Sequence, residues 1–438
     1  MPPVGIIDPR ELTALGDGLV FNAFHQDLGQ ALWRADPRTG TVKVLNPAKP
    51  GFRGASPSGL TRFQDFIYFT ADDGDSGLEL WRTDGSPAGT TLVKDLWNGA
   101  GGSMPNSLTP YQGWLYFVAQ DDAGFHLWRT QGDAASTQRV AGAQALSNPH
   151  LLSVAGGKLF FAATDAAAGR ELWVLDGVDA QPRMVKDIRG GPWDSQPSQL
   201  TAVGDTLFFV ANDGVHGAEL WKSDGTAAGT LMVMDVRPGS ESSRPSYLAV
   251  AGRQLFFVAD DGRHGPELWK SDGSSEGTVL VQDINPGPAG SGPAYLTAVG
   301  SSVYFTANDR RHGAELWQSD GTTTAIVRDI RPGPEGSFPH ELARVDNALL
   351  FTATNSAGAQ QVWRSDGTST GTLAVTTPAG QRRSPSRFTA VAGLLAFVAC
   401  DSAGNERLWL IDANGAVKSV GARYAQASAE SSLSQAGK

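Results

Sequence analysis

The stretch Leu-Thr-Ala-Val-Gly-Asp-Thr-Leu-Phe-Phe-Val-Ala-Asn-Asp-Gly-Val-His-Gly-Ala-Glu-Leu-Trp-Lys-Ser-Asp-Gly-Thr-Ala-Ala-Gly-Thr-Leu-Met-Val-Met-Asp-Val, residues 200–236, is one complete unit of this chain. Three runs in it, 207–211, 219–223 and 231–236, are rich in Phe, Val, Leu and Trp and have strand character. A fourth, shorter run at 200–203 precedes them. Between the runs stand Asn212-Asp213-Gly214 and Ser223-Asp224-Gly225-Thr226. These are turn sequences, since Gly takes positive φ freely and Asp bonds back to nearby amides. Apolar residues nowhere keep a sustained helical spacing, so helices should be nearly absent. Four antiparallel strands joined by tight turns make one blade of a β-propeller.

The unit recurs. Trp33, Trp81, Trp128, Trp173, Trp221, Trp269, Trp317, Trp363 and Trp409 follow one another at a near-constant interval. A unit of this length cannot bury its own apolar surface and must stack on a copy of itself. Runs such as 255–259, Leu-Phe-Phe-Val-Ala, are apolar at consecutive positions and suit strands covered on both faces. The expected fold is therefore all-β, a propeller of nine four-stranded blades. Nine lies beyond the common 4 to 8 blades, so an eight-bladed ring with one displaced copy is the alternative. In well-kept copies a long, constant link separates the Asp ending the outer strand from the next inner-strand Leu, as between Asp235 and Leu248, whereas Asp8 stands close before Leu12. Residues 4–8 are thus not an ordinary outer strand, and closure should rest on packing between blades, helped by 4–8 as an added edge strand.

The 438 residues show no linker and no break in composition, and the 53 Gly and 25 Pro fall at repeat-fixed turns. Residues 1–423 are expected to form a single domain, and the Ala-, Ser- and Gln-rich residues 424–438 a mobile tail. The single cysteine, Cys400, ends an apolar run and reads as a small buried residue. A net charge of −10 without a basic patch argues against nucleic acid. No apolar run approaches a membrane span and no export signal opens the chain. The expectation is a monomer without membrane insertion, extracellular or at the cell surface if a signal has been removed, and otherwise cytoplasmic.

The phrase Glu219-Leu220-Trp221-Lys222-Ser223-Asp224-Gly225-Thr226 resembles the ELWxxDGT repeat family of bacterial, often secreted or surface-exposed, proteins. The match is close at 79–89, 171–177, 219–229, 267–277 and 315–322, and weaker around Trp33, Trp128, Trp363 and Trp409. The resemblance implies a scaffold and says little about activity.

Blade topology places the outer-to-inner links and the second-to-third strand turns on one face, here called the link face. Loops on a rigid scaffold commonly carry function. Trp97 and Trp193 break the repeat in two of these links, and with Tyr111 and Trp114 they suggest an aromatic patch on the first half of the ring. His216, His264 and His312 recur once per unit on three successive units, too far around the ring to share a metal. With Arg263, Arg310 and Arg311, residues His264 and His312 make a cationic arc open to an anionic ligand or partner. Asp-rich turns such as Asp72-Asp73-Gly74-Asp75 lack a complete calcium ligand set, so calcium is not favoured and no cofactor is expected. Glu79, Glu171, Glu219, Glu267 and Glu315 occupy one strand position and need turn amides or a Lys or Arg as partners.

The leading expectation is a non-catalytic scaffold, lectin-like or protein-binding, that engages a protein or carbohydrate ligand through its loop face. The alternative is an enzyme, a lyase or glycan hydrolase with its site at the mouth of the central channel. Unlike polar residues at that mouth would favour the enzyme. A uniform ring at Thr13, Thr61, Thr109, Ser153, Thr201 and Ala249 would favour the scaffold.

Overall fold

The computed structural model describes residues 7–45, 55–144, 146–375, 385–391, 394–400, 406–411, 417–420 and 423–424. Every regular element among them is a strand. The unit around Trp221 folds as Ser198–Val203, Thr206–Asn212, Ala218–Ser223 and Leu231–Met234, paired in chain order and antiparallel. The outer strand stops two residues short of the run read from sequence, because Asp235 and Val236 already belong to the link. Nine such sheets form a nine-bladed β-propeller, numbered here by their tryptophans. The inner strand of each blade touches those of both neighbours, and blade 9 touches blade 1.

No blade owns a core. Trp221, Leu207 and Phe209 of blade 5 form one buried cluster with Phe160, Leu172 and Val174 of blade 4, and the same pairing repeats around the ring. The tryptophans are thus packing residues between blades.

Polar groups repeat the same logic. Glu219 is fully buried and accepts hydrogen bonds from the Ser243 hydroxyl at 2.6 Å, the Ser243 amide at 2.8 Å and the Val236 amide at 3.2 Å. Glu79, Glu171, Glu267 and Glu315 take the hydroxyls of Ser103, Ser195, Ser291 and Ser337 in the same way. The partners are link amides and a serine, not a Lys or Arg; each carboxylate pins the link that leads into the next blade. Basic residues after the tryptophan reach forward instead: Lys222 Nζ donates to Gly273 O at 2.8 Å and Lys270 Nζ to Gly321 O at 2.6 Å.

The Ser-Asp-Gly-Thr turns close on themselves. Asp224 Oδ1 accepts from the Thr226 amide at 2.8 Å and hydroxyl at 2.7 Å, which hold its carboxyl below the usual range. This carboxylate explains the glycine five residues on: a Cβ at Gly229 would stand 2.2 Å from Asp224 Oδ1. Gly229→Ala should therefore destabilise by roughly 1–3 kcal/mol through forced displacement of the turn. Urea unfolding checks this, and an unchanged midpoint would show that the turn yields freely.

Closure differs from the expectation. Ile7 and Asp8 begin the inner strand Ile7–Leu15 of blade 1 and are not an added edge strand; residues 4–6 lie outside the described residues. The added strand comes from the other end: Arg423–Tyr424 pairs parallel with Thr41 and Val42 on the outer edge of blade 1. Of the segment read as a tail, Tyr424 belongs to this strand and 425–438 lie outside the described residues. The seam itself is apolar, with Val391, Ala396, Leu408, Leu410 and Val420 of blade 9 packed against Leu12, Leu19, Phe21 and Leu32 of blade 1. Arg387 adds an ion pair to Asp8 at 2.5 Å.

Candidate functional site

On the link face the repeated histidines are each bound within their own turn. Nδ1 of His216, His264 and His312 lies 2.6, 2.7 and 2.6 Å from Asp213, Asp261 and Asp309 Oδ2. The hydrogen bond to the carboxylate raises His216 and His264 above the ordinary histidine value. Burial pulls the three aspartates upward, but turn amides and the histidines outweigh it and lower them. Arg263, Arg310 and Arg311 project into solvent beside these pairs and make no ion pair among the described residues. The Asp-rich turn is held alike, with Asp73 Oδ1 accepting from the Asp75 and Ser76 amides at 2.9 and 2.8 Å. No three His, Cys, Asp or Glu groups converge as a metal site among the described residues.

The four aromatic candidates do not form one patch. Tyr111 and Trp114 flank an inner-to-second strand turn, which the antiparallel order places on the face opposite the links. Tyr111 is buried, and its hydroxyl donates to Gly157 O at 2.9 Å while accepting from the Gly177 amide at 3.0 Å, tying blade 3 to blade 4. Trp114 is half-buried under the Arg129 guanidinium, 4.5 Å from its ring centroid. Trp97 is half-buried in its link, with its amide on Glu79 Oε1 at 3.3 Å.

Trp193 alone of the four stands open, at 63% exposure. The link that follows Asp235 pairs Arg237 with Glu241 at 2.8 Å and with Asp260 of blade 6 at 3.1 Å, and the link after Asp329 pairs Arg331 with Glu335. The link after Asp187 keeps the arginine, Arg189, but puts Trp193 where the glutamate stands. The guanidinium then lies 6.0 Å from the indole centroid. The two side chains, with Gly190, Asp213 and Gly214, line a cleft of about 410 Å³. A second hollow of about 280 Å³, lined by Val345, Ala348, Leu350, Leu395 and Ile411, opens on the opposite face between blades 8 and 9. Leu350 there stands where blades 2–7 carry Tyr or Phe, from Tyr68 to Tyr304.

The central channel holds residues that sequence reasoning missed. Each inner strand slips register against its neighbour. The slip places one residue per blade at positive φ: Glu11, Gly59, Ser107, Leu151, Gln199, Tyr247, Tyr295, Glu341 and Arg387. Two residues later comes a column of Thr, Ser and Ala, and the hydroxyls of Thr13, Thr61, Thr109, Thr201 and Thr297 are committed to the slip, as Thr201 to Gln199 O at 2.9 Å and Thr297 to Tyr295 O at 3.0 Å. The Thr ring therefore supports the backbone, and the unlike residues before it face the axis. Three residues earlier a second positive φ recurs, at Asp8, Ser56, Met104, Asn148, Gln196, Arg244, Gly292 and Phe338, toward the link face. Non-Gly residues held there cost of order 1–3 kcal/mol each and cluster at functional sites. A signal was available: aligned copies carry seven different residue types in the column of Tyr247, against only Thr, Ser and Ala in the column two residues later.

No protein-family model matches the chain, and no curated protein sequence matches it. Among solved structures it is similar to a puromycin hydrolase at 16% identity, TM-score 0.42, covering 83% of this chain and 58% of that one. It is also similar to a prolyl endopeptidase at 12% identity, TM-score 0.46, covering 90% and 55% respectively. The propeller domain of the Trilobed protease from Pyrococcus furiosus matches at 12% identity, TM-score 0.38, covering 72% of this chain and 97% of the domain. The chain thus spans less than two thirds of the hydrolase and of the endopeptidase.

Proposed function

We propose that this chain is a non-catalytic scaffold, built of ELWxxDGT-type repeats, that holds a protein or glycan partner across its link face with Trp193 at the centre of contact. The observation that carries the reading is the Arg189–Trp193 cleft, where a repeated arginine–glutamate pair has been replaced by an open indole. Aromatic anchors in pockets dominate binding interfaces. The repeated polar groups offer less, since the buried glutamates, turn aspartates and ring threonines spend their capacity inside the fold. The rival reading, a hydrolase or lyase at the channel mouth, draws support from the unlike residues there. It is weakened because the channel carboxylates are tied up: Glu11 accepts the Leu60 amide at 3.0 Å and Glu341 the Arg387 amide at 2.9 Å.

The test is a glycan array together with a pull-down from the native source. Trp193→Ala should cut capture at least about tenfold while leaving stability within about 0.5 kcal/mol, because the ring is exposed. Capture should persist in chelator and in the Arg263→Ala and Arg311→Ala variants. Capture that survives Trp193→Ala but fails in the arginine variants would move the site to blades 6 and 7, and turnover of a captured glycan would establish the enzyme.

A further inference from the structure

We infer that the arc of the central channel formed by blades 5 to 8 is a binding site for an acidic oligosaccharide. The site is separate from the Trp193 cleft and does not depend on it. Its wall is made by Gln196, Gln199, Arg244, Tyr247, Tyr295 and Phe338, all at positive φ in consecutive blades, with Glu341 at its blade 8 edge, where the carboxylate accepts the Arg387 amide of blade 9 at 2.9 Å. Tyr247 and Tyr295 are each 47% exposed, and Phe338 is 56% exposed. The two tyrosine rings stand side by side, centroids 6.4 Å apart and tilted by 48°.

Two independent features make this a site and not a surface accident. The backbone at these positions favours glycine, and Gly59 and Gly292 occupy the same two positions in blades 2 and 7. The conformation recurs around the ring as part of the slip and does not itself mark this arc; what marks it is that these positions carry two adjacent exposed tyrosines and an exposed phenylalanine, large rings held against the local preference. The channel arginines also differ in their pairing. On the closing side the ions satisfy one another, Arg10 and Arg387 both pairing with Asp8. On the blade 5 to 8 side Arg244 is exposed and has no ion pair among the described residues, and among them no hydrogen bond engages the Gln196 and Gln199 amides or the two tyrosine hydroxyls.

The chemistry this arc would recognise follows from those groups. Aromatic rings bearing hydroxyls match a ligand that is apolar on one face and polar at its rim. Carboxamides offer donor and acceptor together, as adjacent sugar hydroxyls require. A guanidinium without an ion pair selects a carboxylate through paired N–H donors. A uronic-acid chain combines all three demands, and its slender form suits entry from the link face, where Arg244 and Phe338 lie. An extended peptide would meet the rings but would leave the carboxamides and the arginine without systematic partners.

The experiment uses the full chain against an array of uronic-acid oligosaccharides, each printed beside its methyl ester, followed by calorimetry on any hit. Free acids should bind, and their esters should bind at least tenfold more weakly. Tyr247→Gly and Tyr295→Gly each remove a ring while giving the backbone the residue it favours. Both should reduce binding tenfold or more without lowering the unfolding midpoint, so lost binding cannot be ascribed to misfolding. Arg244→Gln should abolish the preference for acid over ester, while Trp193→Ala should leave this binding unchanged. Absence of any uronate binding, equal binding of acid and ester, or binding that survives both glycine substitutions would overturn the inference. Loss in Trp193→Ala alone would overturn it too, while supporting the cleft.

Discussion

Raising the pH from about 5 to about 8 should weaken the folded ring by several kcal/mol, in contrast to proteins whose carboxyls are stabilised as anions. Burial raises Glu171 and Glu219 from the ordinary 4.5 to about 7, against the opposing pull of the serine hydroxyls and link amides they accept. A folded state that keeps a proton the unfolded chain has released loses stability as pH rises between those two values. The contribution is fully present below about 4.5 and gone above about 7, and the shift corresponds to roughly 3 kcal/mol for each carboxyl. Glu79, Glu267 and Glu315 are shifted in the same direction by the same burial. The turn aspartates Asp84, Asp224, Asp272 and Asp366 set the other limit. Hydrogen bonds from the following Ser or Thr lower them, so their stabilisation is lost as pH falls through their folded values. Stability should peak at about pH 4 to 5. Urea unfolding across the range measures the curve, and the double variant Glu171→Gln, Glu219→Gln should flatten it between about pH 5 and 7. A stability that rises over that window would mean that the serine and amide donors outweigh burial.

Trp221→Ala should cost about 3–5 kcal/mol, because it empties a site shared by two blades. The indole packs against Phe160 and Leu172 of blade 4 as well as Leu207 and Phe209 of its own blade, so neither blade can collapse alone into the space. Trp193→Ala, in the link that leads into the same blade, should cost almost nothing. Denaturant unfolding of the two variants side by side makes the comparison. Equal losses would mean that the Trp193 ring packs beneath its own link, and would remove the reason for placing a partner there.

These two tryptophans show where sequence reading stops. Trp221 was legible because it recurs at a fixed interval in every copy, and a repeated large apolar residue in a strand must be buried by the only thing that also repeats, the next blade. Trp193 was visible as a departure from the repeat, but so were Trp97, Tyr111 and Trp114. Their burial depended on neighbours that the local sequence does not name: Tyr111 is held by Gly157 and Gly177 of the following blade. The buried glutamates were legible in part. Their repetition required partners, and turn amides were among those expected, but the serine that completes each set lies well downstream and is brought close only when the link folds back.

The sequence by itself determined the all-β class, the turn chemistry and the tryptophan-centred blades, because each rests on short-range hydrogen bonding and on a hydrophobic pattern repeated with the chain; it favoured nine blades over eight, and the nine sheets of the fold decided the number. Tertiary structure alone decided how the ring closes and what faces its axis. The closing strand Arg423–Tyr424 pairs with Thr41 and Val42 across almost the whole chain, and no local pattern encodes so distant a partner. The axis-facing residues depend on a slip of each inner strand against its neighbour. A slip moves side chains from one face to the other, so Tyr247 and Tyr295 are read as channel residues only once the register between paired strands is known.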